Sequence, residues 1–131
     1  MLRTKSVWSP MDRKHDGLRI LVTRFRGRGL PKSRYDVWMP NLGPSEWLLR
    51  AFSRQQIGWA EFVRRYREEI FTDSPVDLKN SAIKNHGQKF TLRLLKRLAR
   101  AGNVTLMCHC QEDKEHCHRH VLHRIIATKQ I

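Results

Sequence analysis

Acidic residues and cysteines are both scarce in this sequence, and each scarcity excludes a class of protein. Among 131 residues, 12 are Asp or Glu against 26 Lys or Arg, which gives a formal net charge of +14. The chain has three cysteines, and an odd number argues against a disulfide framework. A surface this basic attracts polyanions, of which nucleic acid is the commonest, rather than basic partners.

Long apolar runs are also missing. No segment approaches the length of a transmembrane helix, and no apolar stretch follows the basic residues near Met1 as it would in a secretory signal. We therefore expect a cytoplasmic protein with reduced thiols and no membrane partner. The chain has no repeat or low-complexity linker, and its length suits one domain, so we predict a single domain over residues 1–131.

The order of apolar patterns predicts an α/β fold with a small, mostly parallel sheet flanked by helices. Continuous apolar runs predict strands covered on both faces, whereas helical spacing of apolar residues predicts helices that pack on the sheet. Extended segments are predicted at residues 4–8, 18–23, 35–39 and 103–107. Helices are predicted at residues 45–52, 56–71, 88–101 and 115–129.

The helix predicted at residues 88–101 carries a stripe of basic residues without an acid. At 100° per residue, this stripe spans about 100° of the helix surface. Phe90, Leu94, Leu95 and Leu98 are expected on the opposite side, facing the core, and Gly102 is expected to end the helix in a left-handed conformation. The candidate nucleic-acid contacts of the stripe are Lys89, Arg93, Lys96, Arg97 and Arg100.

Cysteine and histidine are concentrated between residues 108 and 123, which hold all three cysteines and five of the seven histidines. The cluster follows the strand predicted at residues 103–107 and leads into the last helix. In parallel α/β sheets, ligands bind where strands end and helices begin, because loops and helix N-termini converge there. This is the predicted functional site.

Cys117 and His118 are the candidate catalytic residues. A cysteine at a helix N-terminus beside an arginine tends to have a lowered pKa, which suits a nucleophile, and His118 on the inward face suits proton transfer. The alternatives are a small buried hydrophobe and a hydrogen-bonded core histidine. The candidate anion-binding residues, for a phosphate or carboxylate, are Arg24, Arg28 and Arg119.

Zinc is the alternative cofactor, although no cofactor is favoured. Cys108, Cys110, Cys117 and His118 form a Cys-x-Cys-x6-Cys-His set of soft ligands, but this spacing is not that of the usual paired zinc knuckles. A surface pair, His116 and His120, has the i,i+4 spacing of a helical chelate, but a solvated polar face is the preferred explanation because nothing nearby supplies a third ligand.

These motifs, taken in order, resemble the family known as Domain of Unknown Function 488, with its YeaO-like relatives, over residues 7–126. The resemblance begins with Val22-Thr23-Arg24 and Arg28-Gly29, where Thr23 replaces a common acid and Arg26-Gly27 replaces a frequent tryptophan-proline. It continues through further matching positions. These are Trp38, Leu42, Pro44, Ser45, Trp59, Phe62, Tyr66, then Cys108 or Cys110, and Cys117-His118-Arg119.

The resemblance implies an α/β fold and a shared pocket, but it implies no activity. Two functional hypotheses of different classes follow from the sequence. One is an enzyme that acts on an anionic small molecule through the Cys-His-Arg motif. The other is a module that binds nucleic acid without sequence preference, since no helix-turn-helix, RNP or zinc-finger signature is present. The sequence does not define an oligomeric state.

Overall fold

A four-stranded parallel sheet lies at the centre of the protein, as seen in a computed structural model that describes residues 1–72, 88–128 and 131. The strand order is β1-β4-β2-β3, and every pairing is parallel. The predicted α/β fold is confirmed. The strands are β1 (Leu2–Ser6), β2 (Leu18–Leu21), β3 (Val37–Trp38) and β4 (Val104–Cys108).

The central strand β4 is buried along its whole length because both faces of the sheet are covered. Val104 and Leu106 face the main core, whereas Met107 belongs to a smaller cluster on the opposite face with Val7, Leu21 and Leu30. Side chains alternate between faces along a strand, so one apolar run supplies both cores. On the face of the smaller cluster, the buried Thr105 hydroxyl donates a hydrogen bond of 2.7 Å to the Asp16 carbonyl.

The four longer helices all contribute to the main core on one face of the sheet. Ser45 caps the first of them by accepting a hydrogen bond of 3.2 Å from the Leu48 amide, as the sequence predicts. In the next, Phe62, Tyr66 and Ile70 form the buried stripe at helical spacing. The helices are α1 (Arg13–Asp16), α2 (Glu46–Ser53), α3 (Trp59–Phe71), α4 (Gln88–Ala101) and α5 (His118–Ala127).

Several predicted element boundaries were wrong. Strand β1 pairs from Leu2 and ends at Ser6, and α3 begins at Trp59 rather than at residue 56. Helix α5 begins at His118, so the preceding residues form a loop. Gly102 does not adopt a left-handed conformation; positive φ angles among the described glycines occur at 17, 27 and 29. No described helix is both long and apolar enough to cross a membrane.

The predicted inner face of α4 was wrong for three of its four residues and right for Leu95. Leu92 and Leu95 are its fully buried residues, whereas Phe90, Leu94 and Leu98 are 52%, 54% and 37% exposed. Large apolar residues therefore lie on two sides of this helix. The helical spacing of apolar residues did not determine which side meets the sheet. Lys79 and Lys84, two further basic residues that precede α4 in the sequence, lie outside the described residues.

Candidate functional site

The cysteine-histidine cluster lies at the carboxyl edge of the sheet, where the ends of β2 and β4 are adjacent. Cys108 is the last residue of β4, and Cys117 is the N-cap of α5. Residues 109–117 form the loop between them. The sequence predicted this location, and the parallel pairing of β2 with β4 places the Val22 carbonyl beside the start of α5.

The three cysteine sulfurs lie within 4.8 Å of one another. The Sγ atoms of Cys108 and Cys117 are 3.1 Å apart, and both side chains are buried. Cys110 is half-buried, and all three thiols are free. Sulfurs this close are within reach of a single metal ion, and they also interact directly as thiols.

Arg119 is fully buried, and its guanidinium group holds the cluster together. Its Nη1 donates a hydrogen bond of 2.8 Å to Cys108 Sγ. Its two terminal nitrogens also donate to the backbone carbonyls of Cys110, Gln111 and Glu112 at distances of 3.3, 3.0 and 3.0 Å. Arg119 therefore fixes the loop that carries Cys110 while it contacts a sulfur.

Glu112 carries the closest carboxylate to this guanidinium among the described residues, but its Oε2 lies 4.0 Å from Arg119 Nη2. The Glu112 side chain is 55% exposed and accepts a hydrogen bond of 2.5 Å from the Ser6 amide. It thereby ties the loop to the end of β1. A buried guanidinium needs a close counter-charge, and a distant exposed carboxylate supplies only part of it.

A cleft of about 630 Å³ opens beside the cluster, between the loop and the turn that joins α2 to α3. We call it the Cys110 cleft. Its apolar wall is formed by Leu49, Phe52, Ile57 and Phe62. Its polar side is formed by Cys110, Lys114, His116, Cys117 and His118. A concave apolar pocket with a few converging polar groups is the usual form of a small-molecule site.

Hydrogen bonding within the cluster separates the pKa values of its thiols. Hydrogen bonds from Cys108 and Cys117 lower the pKa of Cys110 well below that of a free thiol, and they correspondingly raise the pKa of Cys108. A hydrogen bond from Cys108 lowers the pKa of Cys117, but the Cys110 thiolate and burial outweigh it and raise the pKa. The helix N-terminus had suggested a lowered pKa for Cys117. It is instead Cys110, the most exposed of the three, whose pKa is lowered.

His118 is buried with its ring pointing inward, as predicted. Its Nε2 lies 2.6 Å from the Val22 carbonyl, to which it donates, so its Nδ1 carries the free lone pair. That Nδ1 lies 4.0 Å from Cys117 Sγ, and the ring packs edge-on to Tyr66. Burial lowers the pKa of His118 despite the hydrogen bond to Val22, so the imidazole is neutral at neutral pH.

The lowered pKa of His118 predicts a loss of stability in acid. The unfolded chain takes up a proton near pH ~6.5, whereas the folded protein does so only at lower pH. The free energy of unfolding that depends on a neutral His118 is therefore fully present above pH ~6.5. Below that pH it falls by up to about 1.4 kcal/mol for each pH unit. Urea unfolding across this range should show a steeper decline for the wild type than for His118→Gln. Parallel declines would contradict the prediction.

The three candidate anion-binding arginines lie in different surroundings. Arg24 donates hydrogen bonds of 2.9 Å to the carbonyls of Gly43 and Pro44, and Arg28 is exposed in the glycine loop. Arg119 is occupied by the cluster. Within the described residues no hydrogen bond joins these side chains to one another, although the strands that precede them are parallel neighbours. The cation that lines the cleft is Lys114, which no sequence motif had indicated.

The other histidines of the segment do not form a helical pair. His116 precedes α5 and stacks on Trp59 with ring centroids 4.7 Å apart, whereas His120 lies within the helix beside the Lys114 carbonyl at 2.9 Å. Gln55 is a further cleft residue that the sequence did not reveal. Its φ of 58° is the only positive value at a described non-glycine residue, and such strain is common at functional sites.

Comparison with known proteins identifies the family of this chain. A profile described as "Active DUF488-N3 subclade" matches residues 2–130, which is nearly the whole chain. The chain belongs to the DUF488 family. A relative from Escherichia coli (strain K12), "Uncharacterized protein YeaO", is 34% identical over 71 residues. The match covers 53% of this chain and 61% of that protein, and no solved structure matches significantly.

Proposed function

We propose that the Cys110 cleft is the active site of an enzyme with a thiolate nucleophile. In this proposal the Cys110 thiolate attacks an electrophilic carbon or phosphorus of the substrate and displaces a leaving group. The neutral His118 then takes a proton at Nδ1 from a water molecule, whose hydroxide attacks the same centre and releases the Cys110 thiolate, and His118 passes the proton to the departed group. Cys117 lies deeper, with its sulfur within 4.8 Å of Cys110 Sγ. The description of the matching subclade as active is compatible with this assignment, but it names no reaction.

The observation that carries the proposal is the buried charge of Arg119. Its side chain is 1% exposed, and the nearest carboxylate oxygen among the described residues, Glu112 Oε2, lies 4.0 Å from Nη2. Cys108 Sγ lies only 2.8 Å from Nη1. A negative charge within the sulfur cluster balances this guanidinium at the smallest desolvation cost. The guanidinium polarises the Cys108 thiol, whose sulfur lies within 4.8 Å of Cys110 Sγ, and a polarised thiol at this distance favours a negative charge on Cys110.

The cleft suits a small anionic substrate with an apolar part. Lys114, His116 and His118 line its polar side, and no acidic residue is among the described lining residues. Lys114 would meet a phosphate or carboxylate, and Phe52, Ile57 and Phe62 would contact the apolar part. Arg28 and Arg24 remain candidates for a longer substrate that extends beyond this cleft.

The test is the rate of alkylation of each cysteine by iodoacetamide at about pH 6.5, mapped by peptide mass spectrometry. We expect Cys110 to react about tenfold faster than free cysteine, since only about 1% of a free thiol is ionised at this pH. Cys108 and Cys117 should react far more slowly because they are buried. A rate no greater than that of free cysteine would contradict the proposal.

Two variants sharpen this experiment. Cys110→Ser should remove the fast reaction, whereas Cys117→Ala should retain it at a reduced rate, because the thiol group that lies within 4.8 Å of Cys110 Sγ is lost. Fast labelling of Cys117 in the wild type would favour Cys117 as the nucleophile. Circular dichroism of each variant checks that the fold is retained.

A zinc site is the second candidate function, favoured by the closeness of the sulfurs and by the anchored imidazole. Ligands around zinc lie about 3.5–3.8 Å apart, given bond lengths of 2.0–2.3 Å. Cys108 and Cys117, whose sulfurs are 3.1 Å apart, would have to separate slightly. Elemental mass spectrometry of untagged protein discriminates between the two candidate functions. One zinc ion per chain, lost in Cys110→Ser, would support the metal site and contradict the thiolate enzyme.

Binding of a polyanion such as nucleic acid is an additional proposal for α4. Arg93, Arg97 and Arg100 are exposed on it, whereas Lys96 donates to the Thr128 carbonyl and Lys89 lies 5.9 Å from the centre of the Phe71 ring.

Changing the three exposed arginines of α4 to alanine should weaken binding of duplex DNA. The slope of log K against log salt should fall by about 0.9 for each lost phosphate contact. The measurement is fluorescence anisotropy at several salt concentrations. Arg13→Ala with Lys14→Ala, two exposed residues of α1, is the control, and equal weakening by both variants would exclude a specific role for α4.

A further inference from the structure

We infer that the cluster is a site of reversible oxidation, in which hydrogen peroxide converts Cys110 and Cys117 to a disulfide that blocks the reactive thiol. The inference is carried by the closeness of the three sulfurs and by the position of Cys110 in the cleft; it rests on the proposed function in taking Cys110 as the reactive thiol, and it adds a regulatory reaction to the same site. The reagents are a peroxide and two cysteines of the chain, and no metal or cofactor takes part.

Geometry favours this pair over the other two pairs of cysteines. Cys110 lies in the loop after β4 and lines the cleft, so a peroxide reaches it without passing through the core. Cys117 lines the same cleft at the far end of the loop, and its sulfur lies within 4.8 Å of Cys110 Sγ. A disulfide requires about 2.05 Å, and rotation of the two side chains brings the sulfurs together while Arg119 still holds the loop backbone.

Cys108 is the less suitable partner despite its 3.1 Å approach to Cys117. It is the last residue of the buried strand β4, and its sulfur accepts a hydrogen bond from Arg119. Its side chain is therefore held by the sheet and by the guanidinium. A bond between Cys108 and Cys110 would also close a small ring across two residues, which strains the disulfide dihedral angles.

The reaction proceeds in two balanced steps. In the first, the Cys110 thiolate attacks one peroxide oxygen and the O–O bond breaks; with one proton from solvent, the products are Cys110 sulfenic acid and water. In the second, His118 Nδ1 takes the proton of Cys117, and the new thiolate attacks the Cys110 sulfur. The S–S bond forms, the S–O bond breaks, and hydroxide leaves with the His118 proton as a second water.

Oxidation would remove the nucleophile and also alter the electrostatics at Arg119. The disulfide carries no charge, so the buried guanidinium loses the counter-charge that the thiolate supplies. A disulfide whose oxidised form is destabilised in this way is readily reduced, which makes the oxidation reversible. The expected product is an inactive form that a dithiol reductant returns to the thiolate.

The experiment treats reduced full-length protein with hydrogen peroxide at about pH 7, blocks the remaining thiols with N-ethylmaleimide, and maps the products by mass spectrometry. Apart from the mass of one N-ethylmaleimide group, the expected wild-type product is about 2 Da lighter than the reduced protein. It contains a Cys110–Cys117 linked peptide and one blocked thiol, at Cys108. Dithiothreitol should restore all three thiols. In Cys117→Ser, Cys110 should instead proceed to sulfinic acid.

A parallel iodoacetamide assay on the untreated protein separates this inference from the proposed function. Fast alkylation of Cys110, together with its oxidation to sulfinic acid in the wild-type protein, would contradict the disulfide. The proposed thiolate enzyme would be unaffected by that result. A Cys108–Cys117 linkage would likewise overturn the inference. Slow alkylation and no reaction with peroxide would overturn both proposals. The wild-type mapping needs no variant, so poor folding of Cys117→Ser does not affect it.

Discussion

Replacing Arg119 with methionine is expected to lower the free energy of unfolding by about 3–5 kcal/mol, one of the two largest effects predicted for this protein. Methionine leaves the carbonyls of residues 110, 111 and 112 without their donors in a buried site. It also removes the cation that stabilises the sulfur cluster. We therefore expect the pKa of Cys110 to rise and its reaction with iodoacetamide at neutral pH to slow.

Urea unfolding followed by circular dichroism measures the change in stability, and the pH dependence of alkylation measures the change in pKa. The matched control is Arg124→Met on the same helix, because Arg124 is exposed and donates a long hydrogen bond of 3.4 Å to the His120 carbonyl. That variant should change stability by no more than about 0.5 kcal/mol. Equal effects of the two substitutions would show that the buried guanidinium does not organise the site.

Gly17→Ala should also destabilise the fold strongly, because two separate costs coincide at this position. Gly17 joins α1 to β2 with a φ of 60°, and a Cβ atom there would lie 2.1 Å from the Asn103 carbonyl oxygen. That oxygen accepts a hydrogen bond of 2.9 Å from the Leu18 amide, so neither backbone can withdraw without weakening β2–β4 pairing. Strain of about 1–3 kcal/mol and overpacking of about 1–3 kcal/mol predict a loss of about 2–6 kcal/mol.

Two other glycines separate these costs in the same unfolding measurement. Gly29 has a φ of 73°, but a Cβ atom there would meet no atom within 4 Å, so Gly29→Ala should show the strain alone. Gly102 has neither a positive φ nor a close neighbour, so Gly102→Ala should be nearly neutral. If Gly17→Ala lowered the free energy of unfolding no more than Gly29→Ala, the close approach of Gly17 to the Asn103 carbonyl would not contribute to the loss of stability.

The fold was predictable from local patterns because each long element has a distinct period. The continuous apolar run before Cys108 predicted a strand covered on both sides, and β4 is the central strand. The stripe of Phe62, Tyr66 and Ile70 predicted α3, and Ser45 predicted the start of α2. The location of the site followed from the same reasoning, since the cysteines and His118 flank the end of a strand and the start of a helix.

The inner face of α4 and the roles within the cluster were not predictable in this way. Apolar residues lie on two sides of α4, so only packing determined that Leu92 and Leu95 are buried while Phe90, Leu94 and Leu98 are exposed. The cleft also brings together the α2–α3 turn and the loop before α5, which are far apart in sequence. Lys114 and Gln55 belong to no motif, and proximity alone makes them cleft residues.

The sequence by itself determined the α/β class, the strand-to-helix location of the site and the supply of three thiols, because these depend on residue type and local spacing. Only the tertiary structure decided how those thiols differ. Burial of Arg119 against Cys108 requires a counter-charge, and the approach of Cys108 and Cys117 lowers the pKa of Cys110 below theirs. A pKa depends on solvation and on neighbours across the whole fold, and neither can be read from the order of residues.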